Sequence, residues 1–303
     1  MRQTSTPGLL SHAMVTFKTI FSHWRTFFLL IGLMVVGYIV AVGLMSEDFY
    51  LQVQETIDDA GLELAGGEIG NFAKAGMLLL STITTGGLNV GMNDTQTIFT
   101  VILFLILWLV TIYLLRHFFA GRKPKLRDAL YNALGPLLST FVVFVVIFIQ
   151  AIPIILVIIT YSAALTTNFL SSPFYALIYF IFAAVMILLS SYLFSSSLLA
   201  LAAVTAPGMY PLSAIFAASD LAAGRRIRII LRILYLIFVV GFVYVITMMP
   251  VILLDLWLKA TWESLAGWPI VSFFLIIVTC FAFIYASTYL FLYYRWLLDY
   301  KEQ

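Results

Sequence analysis

From Ala129 to Ser219 the sequence carries no charged side chain. Charged residues make up only 10% of the chain, against about 25% in ordinary soluble domains. A water-soluble domain needs charge on its surface to stay solvated, so a soluble fold is excluded over this run. A bilayer requires such a run, because a charge at its centre costs at least a few kcal/mol.

Cysteine is nearly absent too. Cys280 stands alone inside an apolar stretch, which excludes an intrachain disulfide and any cysteine metal cluster and reads as a small apolar filler. The three histidines, His12, His23 and His117, are scattered near the ends of apolar runs. There is no HExxH, no Walker A loop, no GxSxG and no carboxylate pair inside an apolar run, so the motifs of metal-assisted, phosphate-cradling and acyl-transfer chemistry are missing. No catalytic residue, cofactor or metal site is expected, and the chain reads as non-enzymatic. No Pro/Ser-rich linker divides it, so residues 1–303 read as a single membrane domain. The net charge of +2 does not point to nucleic acid, since the basic residues sit beside apolar runs.

What the sequence does have is length in its apolar runs. A helix needs about 20 apolar residues to cross roughly 30 Å of hydrocarbon. Residues 27–45, 98–115, 137–159, 174–204, 233–254 and 270–293 qualify, and none contains Asp, Glu, Lys or Arg. They are continuously apolar rather than alternating, which predicts an all-α bundle of six transmembrane helices and not a barrel. The first run follows basic residues as a signal peptide would, but it is too long, and Met45-Ser46-Glu47 is a poor cleavage site.

Orientation follows from the basic residues. With both termini cytoplasmic, only Lys74 and Lys259 of the sixteen Lys and Arg lie outside. A plasma (inner) membrane location with N-in and C-in is therefore expected. Trp24, Trp257, Trp262, Trp268 and Trp296 lie near run ends, where amphipathic rings prefer to sit. Residues 46–97 form an acidic extracytoplasmic segment with a polar helical pattern over 51–60 and glycines after it. Loops of this length are commonly functional or disordered, and a protein partner docking there is one reading.

Three segments open alike: Pro7, Pro124 and Pro211 each precede an amphipathic stretch and then a span. Proline suits a first helical turn, where its missing N–H goes unused. The expected unit is an inner amphipathic helix followed by a transmembrane hairpin, used three times. In the third copy Leu212, Ile215, Phe216 and Ala222 are spaced for one apolar face. Gln150 and Pro153 interrupt the third span and Pro250 the fifth, each proline removing a backbone hydrogen bond and kinking its helix.

The stretch Lys123-Pro-Lys-Leu-Arg-Asp-Ala-Leu-Tyr-Asn-Ala-Leu and the segment Tyr210-Pro-Leu-Ser-Ala-Ile-Phe-Ala-Ala-Ser219-Asp-Leu-Ala-Ala-Gly224 resemble patterns in an uncharacterised group of bacterial six-span proteins. That group includes the membrane domain attached to some glycerophosphoryl diester phosphodiesterases. The resemblance implies the membrane fold and an association with lipids. No soluble barrel domain is present, so the phosphodiesterase activity has no residues to map onto. Separately, Thr84-Thr85-Gly86-Gly87 resembles the pore-loop filter of Trk-type potassium transporters, but one copy supplies one of the four loops such a ring needs.

Two basic clusters are the candidate site: Lys123, Lys125 and Arg127, and Arg225, Arg226, Arg228 and Arg232. Anionic headgroups attract Lys and Arg at about 1 kcal/mol each near a membrane surface, and arginine can grip a phosphate bidentately. The same residues also serve as topology determinants. Membrane lipids, through anionic headgroups on the cytoplasmic face, are the expected partners. A lipid-interacting or membrane-organising role is the leading reading. A small-molecule or lipid transporter using the kinks at Gln150, Pro153 and Pro250 is the second. An envelope scaffold docking through the acidic loop is the third.

Overall fold

The computed structural model describes residues 8–42, 94–122, 124–167, 172–206, 208–262, 268 and 270–301. Most of the acidic segment and the Thr84–Gly87 motif lie outside the described residues, as does Lys123. Within them the chain is all-α. The helices are α1 (Leu9–Ser22), α2 (Trp24–Val42), α3 (Asp94–Phe119), α4 (Leu126–Ala133), α5 (Leu137–Thr166), α6 (Pro173–Ala203), α7 (Pro211–Ala222), α8 (Arg226–Thr261) and α9 (Ile270–Lys301). Six of them, α2, α3, α5, α6, α8 and α9, are long and apolar enough to cross a membrane. The chain is a multi-pass membrane protein.

Helix ends depart from the apolar runs. The fifth run begins at Ile233, yet α8 begins at Arg226 and carries Arg228 and Arg232 in its first turns. At its far end α8 continues through Asp255 and Lys259, whose side chains pair at 2.7 Å one turn apart. Backbone hydrogen bonding sets where a helix stops, while hydrocarbon thickness sets only where it must be apolar.

The short–long–long order runs three times, and each short helix docks the same way. The carbonyl of its N-cap accepts from the residue four further on: Gly8 from His12, Lys125 from Ala129 and Tyr210 from Ala214. The residues four and eight positions past the N-cap are then buried: His12 and Thr16, Ala129 and Ala133, Ala214 and Ala218. The docking partner also follows one rule. Helix α4 packs on the hairpin α2–α3, α7 on α5–α6, and α1 on the last hairpin, α8–α9. Chain order thus closes on itself, with the first helix seated where a third successor would be.

In α1 and α7 the buried face is mostly small or polar and the outward face largely apolar. In α7, Ala214, Ala218 and Ala222 are buried, against an α6 that turns Ser195, Ser196, Ser197, Ala200 and Ala203 inward. Small side chains let the two backbones approach closely. Leu212 and Phe216 are 66% and 69% exposed, so the apolar face expected from sequence splits in two. Alanines face the protein, and the bulky residues face outward as an interfacial helix requires. Helix α1 repeats the pattern, burying His12 and Thr16 while Leu10, Met14 and Phe21 are exposed.

The core gathers around α3 and α9, where Leu107, Leu109, Ile112, Leu114 and Leu115 meet Ile276, Ile284, Tyr289 and Leu297. Two glycines turn the chain after a hairpin. Gly121 and Gly208 have φ of 73° and 78°, a left-handed conformation that costs other L-residues about 1–2 kcal/mol. Gly121→Val and Gly208→Val should each lower unfolding stability in detergent by about that amount, read from the shift in thermal midpoint.

Candidate functional site

The basic residues at helix ends converge on one end of the bundle. Arg116 near the end of α3 donates to the carbonyls of Ala202 (3.1 Å) and Thr205 at the end of α6. The Arg295 guanidinium near the end of α9 lies 4.5 Å from the Phe119 ring centroid at the end of α3. Arg232 near the start of α8 sits 4.5 Å from the Tyr293 ring and 5.4 Å from the Trp296 ring of α9. His23 before α2 stacks on Phe118 at 3.9 Å.

Within this end the candidate cations divide by environment. Arg232 is 7% exposed and packed on aromatic faces, where a weakly hydrated guanidinium is held favourably. Arg226 lies 3.8 Å from the Tyr192 ring centroid and donates to the Ser219 hydroxyl and the Tyr192 carbonyl. Both tie α8 to its neighbours. Arg225 is half-buried, whereas Arg228, Lys125 and Arg127 are exposed. The exposed three are the cations of the two clusters best placed to meet an external anion.

Arg116 has a local cause for its position. At the end of α6 the helix tightens, and the Ala206 N–H bonds to the Ala203 carbonyl at 2.9 Å. That leaves the Ala202 carbonyl without its usual partner. Arg116 and the Thr205 hydroxyl (2.8 Å) supply the donors. A cation at a helix C-terminus is also favoured by the helix dipole. Two turns earlier on α3, the Trp108 indole N–H donates to the Leu201 carbonyl at 3.3 Å, so one face of α3 grips the last turn of α6 twice.

Between α3, the α4–α5 turn and the segment after α6 lies a cavity of about 490 Å³. Its polar wall is Tyr113, Arg116, His117, Asn132, Ser139 and Thr205, and its apolar wall includes Leu109, Ile112, Val204 and Met209. His117 Nδ1 lies 2.9 Å from the Tyr113 carbonyl. A carbonyl only accepts, so Nδ1 carries the proton and Nε2 is the nitrogen left for other partners. Arg116 also lines a second cavity of about 300 Å³, with Phe119, Ala120, Phe291 and Arg295. Among the described residues no carboxylate lines either cavity.

The proline positions are not brought to this place. The Gln150 carbonyl, just before Pro153, accepts from the Ser190 hydroxyl at 2.7 Å. That bond ties α5 to α6 close to Pro153, while the carbonyl that the proline leaves without its helical donor is that of Ile149. Pro250 is exposed on α8. Neither cavity that Arg116 lines includes Gln150, Pro153 or Pro250. Among the described residues no group of three His, Cys, Asp or Glu side chains could hold a metal ion.

Sequence reasoning placed Arg116, His117 and Arg295 only as inner-face residues. Their roles rest on backbone carbonyls and rings far away in sequence, and no spacing encodes these. The signal that was present is that Arg116-His117 directly ends an apolar run rather than sitting in a loop. No family model, curated protein or solved structure matches the chain.

Proposed function

We propose that this protein is a non-enzymatic lipid-interacting or membrane-organising protein, related to the six-span group it resembles. Its basic end meets the anionic headgroups of the cytoplasmic leaflet of the plasma membrane, and both termini lie on that side. The observation that carries this reading is the division of the cations. Arg226 and Arg232 are engaged with rings and backbone, while Lys125, Arg127 and Arg228 are exposed at the same end. Near an anionic surface each exposed cation contributes about 1 kcal/mol of attraction. The outward apolar faces of α1 and α7 add interfacial burial beside them.

The test is thermal unfolding in nanodiscs with and without phosphatidylglycerol. Anionic lipid should raise the midpoint of the wild-type protein. The variant Lys125→Glu/Arg127→Glu/Arg228→Glu should lose most of that gain while keeping its midpoint in phosphatidylcholine. An equal gain in both proteins counts against the proposal. Transport through kinked helices has less support, since Pro250 faces outward and neither cavity that Arg116 lines includes Gln150, Pro153 or Pro250.

A further inference from the structure

We infer that the cavity of about 490 Å³ between α3, the α4–α5 turn and the segment after α6 holds one phosphate-bearing amphiphile, its phosphate at Arg116, a headgroup hydroxyl at His117 and its chain against Pro136, Ala206 and Met209. This rests on the lipid-interacting reading and narrows it from a charged surface to a single partly open site.

Three observations carry it. The first is size and character. The volume falls within the roughly 300–1,000 Å³ of small-molecule sites, which pair apolar walls with a few placed polar groups. Here the two kinds of wall lie on different elements: Arg116 and His117 project from α3, while the accessible apolar residues, Pro136, Ala206 and Met209, come from the α4–α5 turn and the segment after α6. A ligand filling the space must therefore be polar on one side and apolar on the other, which describes an amphiphile and not a free sugar or ion.

The second is charge. Arg116 and Arg295 line one cavity, Arg116 and His117 the other, and among the described residues neither lining contains a carboxylate. Two guanidiniums facing a shared space repel unless an anion lies near them. The two donations of Arg116 to carbonyls leave three of its five N–H groups for another acceptor, and they fix the plane of the guanidinium. A tetrahedral phosphate, with several acceptor oxygens, matches a fixed guanidinium beside an imidazole better than a carboxylate does.

The third is the unused polar capacity of the wall. The Asn132 amide nitrogen donates to the Asp128 carbonyl at 2.8 Å, so its carbonyl oxygen remains to accept from a ligand hydroxyl. His117 Nε2 is a second acceptor, because Nδ1 carries the proton donated to Tyr113. The cavity therefore offers the Arg116 donors for a phosphate and two acceptors for headgroup hydroxyls side by side.

Native mass spectrometry of the full-length protein tests this, with phosphatidylglycerol, diacylglycerol and inorganic phosphate each as probe. The expected result is one phosphatidylglycerol retained per chain, at least tenfold over diacylglycerol, and not displaced by inorganic phosphate. Ser139→Phe and Ala206→Trp fill the cavity from opposite walls and should each remove the retained lipid. His117→Ala, which needs no repacking and removes an acceptor for a headgroup hydroxyl, should lower retention of phosphatidylglycerol severalfold. The Lys125→Glu/Arg127→Glu/Arg228→Glu variant leaves the cavity intact and should still retain the one lipid, which separates this site from the exposed surface. Retention unchanged in the filled variants, equal retention of diacylglycerol, or displacement by inorganic phosphate overturns the inference.

Discussion

Arg116→Ala is expected to lower unfolding stability in detergent by about 3 kcal/mol, from the loss of two charge-assisted hydrogen bonds at about 1.5–3 kcal/mol each, taken at the low end because the side chain is only half-buried. The bonds go to Ala202 and Thr205, on the segment where α6 ends and the chain turns toward α7. Without the guanidinium, the Ala202 carbonyl keeps only the Thr205 hydroxyl. The α3–α6 contact keeps only Trp108 at this end. Arg116→Lys should recover less than half of the loss, because an ammonium is a point donor and cannot reproduce a planar fork bridging two carbonyls. Chemical unfolding followed by tryptophan fluorescence reads both. A midpoint unchanged in Arg116→Ala would show that the guanidinium is not holding the end of α6.

Acidification is expected to undock α1. His12 is 5% exposed and packs edge-on to Tyr289 and Tyr293, with ring centroids 4.5 and 6.0 Å away. Its Nε2 lies 3.3 Å from the Tyr289 carbonyl, so Nε2 carries the proton of the neutral ring. Burial pushes its pKa down to about 4, the backbone hydrogen bond opposes this, and the nearby Arg232 charge lowers it further. The undocked helix regains the ordinary value of about 6.5.

A group whose folded pKa lies below its unfolded value binds more protons when undocked. Docking is therefore at full strength above about pH 6.5, weakens as the pH falls, and levels off below about pH 4. Two to three pKa units correspond to about 3 kcal/mol. His12→Gln keeps a donor for Tyr289 without a titrating group and should flatten the pH dependence over that window. Amide exchange or a fluorophore on α1, followed from pH 7 to pH 4, measures it. Equal pH dependence in wild type and His12→Gln would remove His12 as the cause.

The six spans were legible because the bilayer leaves so few alternatives. A run without charge, long enough to cross, has to be a helix. The short helices were legible from Pro7, Pro124 and Pro211, although the first two stand directly before the N-cap and Pro211 directly after it. The single apolar face expected over Leu212, Ile215, Phe216 and Ala222 divides in α7, where Leu212 and Phe216 point outward and Ala222 is buried. In a soluble protein large apolar residues mark the core; beside a membrane they mark the lipid and alanine marks the protein contact. Arg226 and Arg228 sit two residues apart and look alike in sequence. One stacks on Tyr192 and the other is exposed, a difference set by a ring more than thirty residues away. Because α8 is apolar nearly all round, its pattern does not say which side meets the protein.

The exposed cations at the basic end carry the account. Their effect is read most directly by electron spin resonance of spin-labelled lipids around the reconstituted protein. Wild type should restrict phosphatidylglycerol severalfold more than phosphatidylcholine, and the Lys125→Glu/Arg127→Glu/Arg228→Glu variant should restrict the two equally. Equal restriction of both lipids by the wild-type protein would contradict the account.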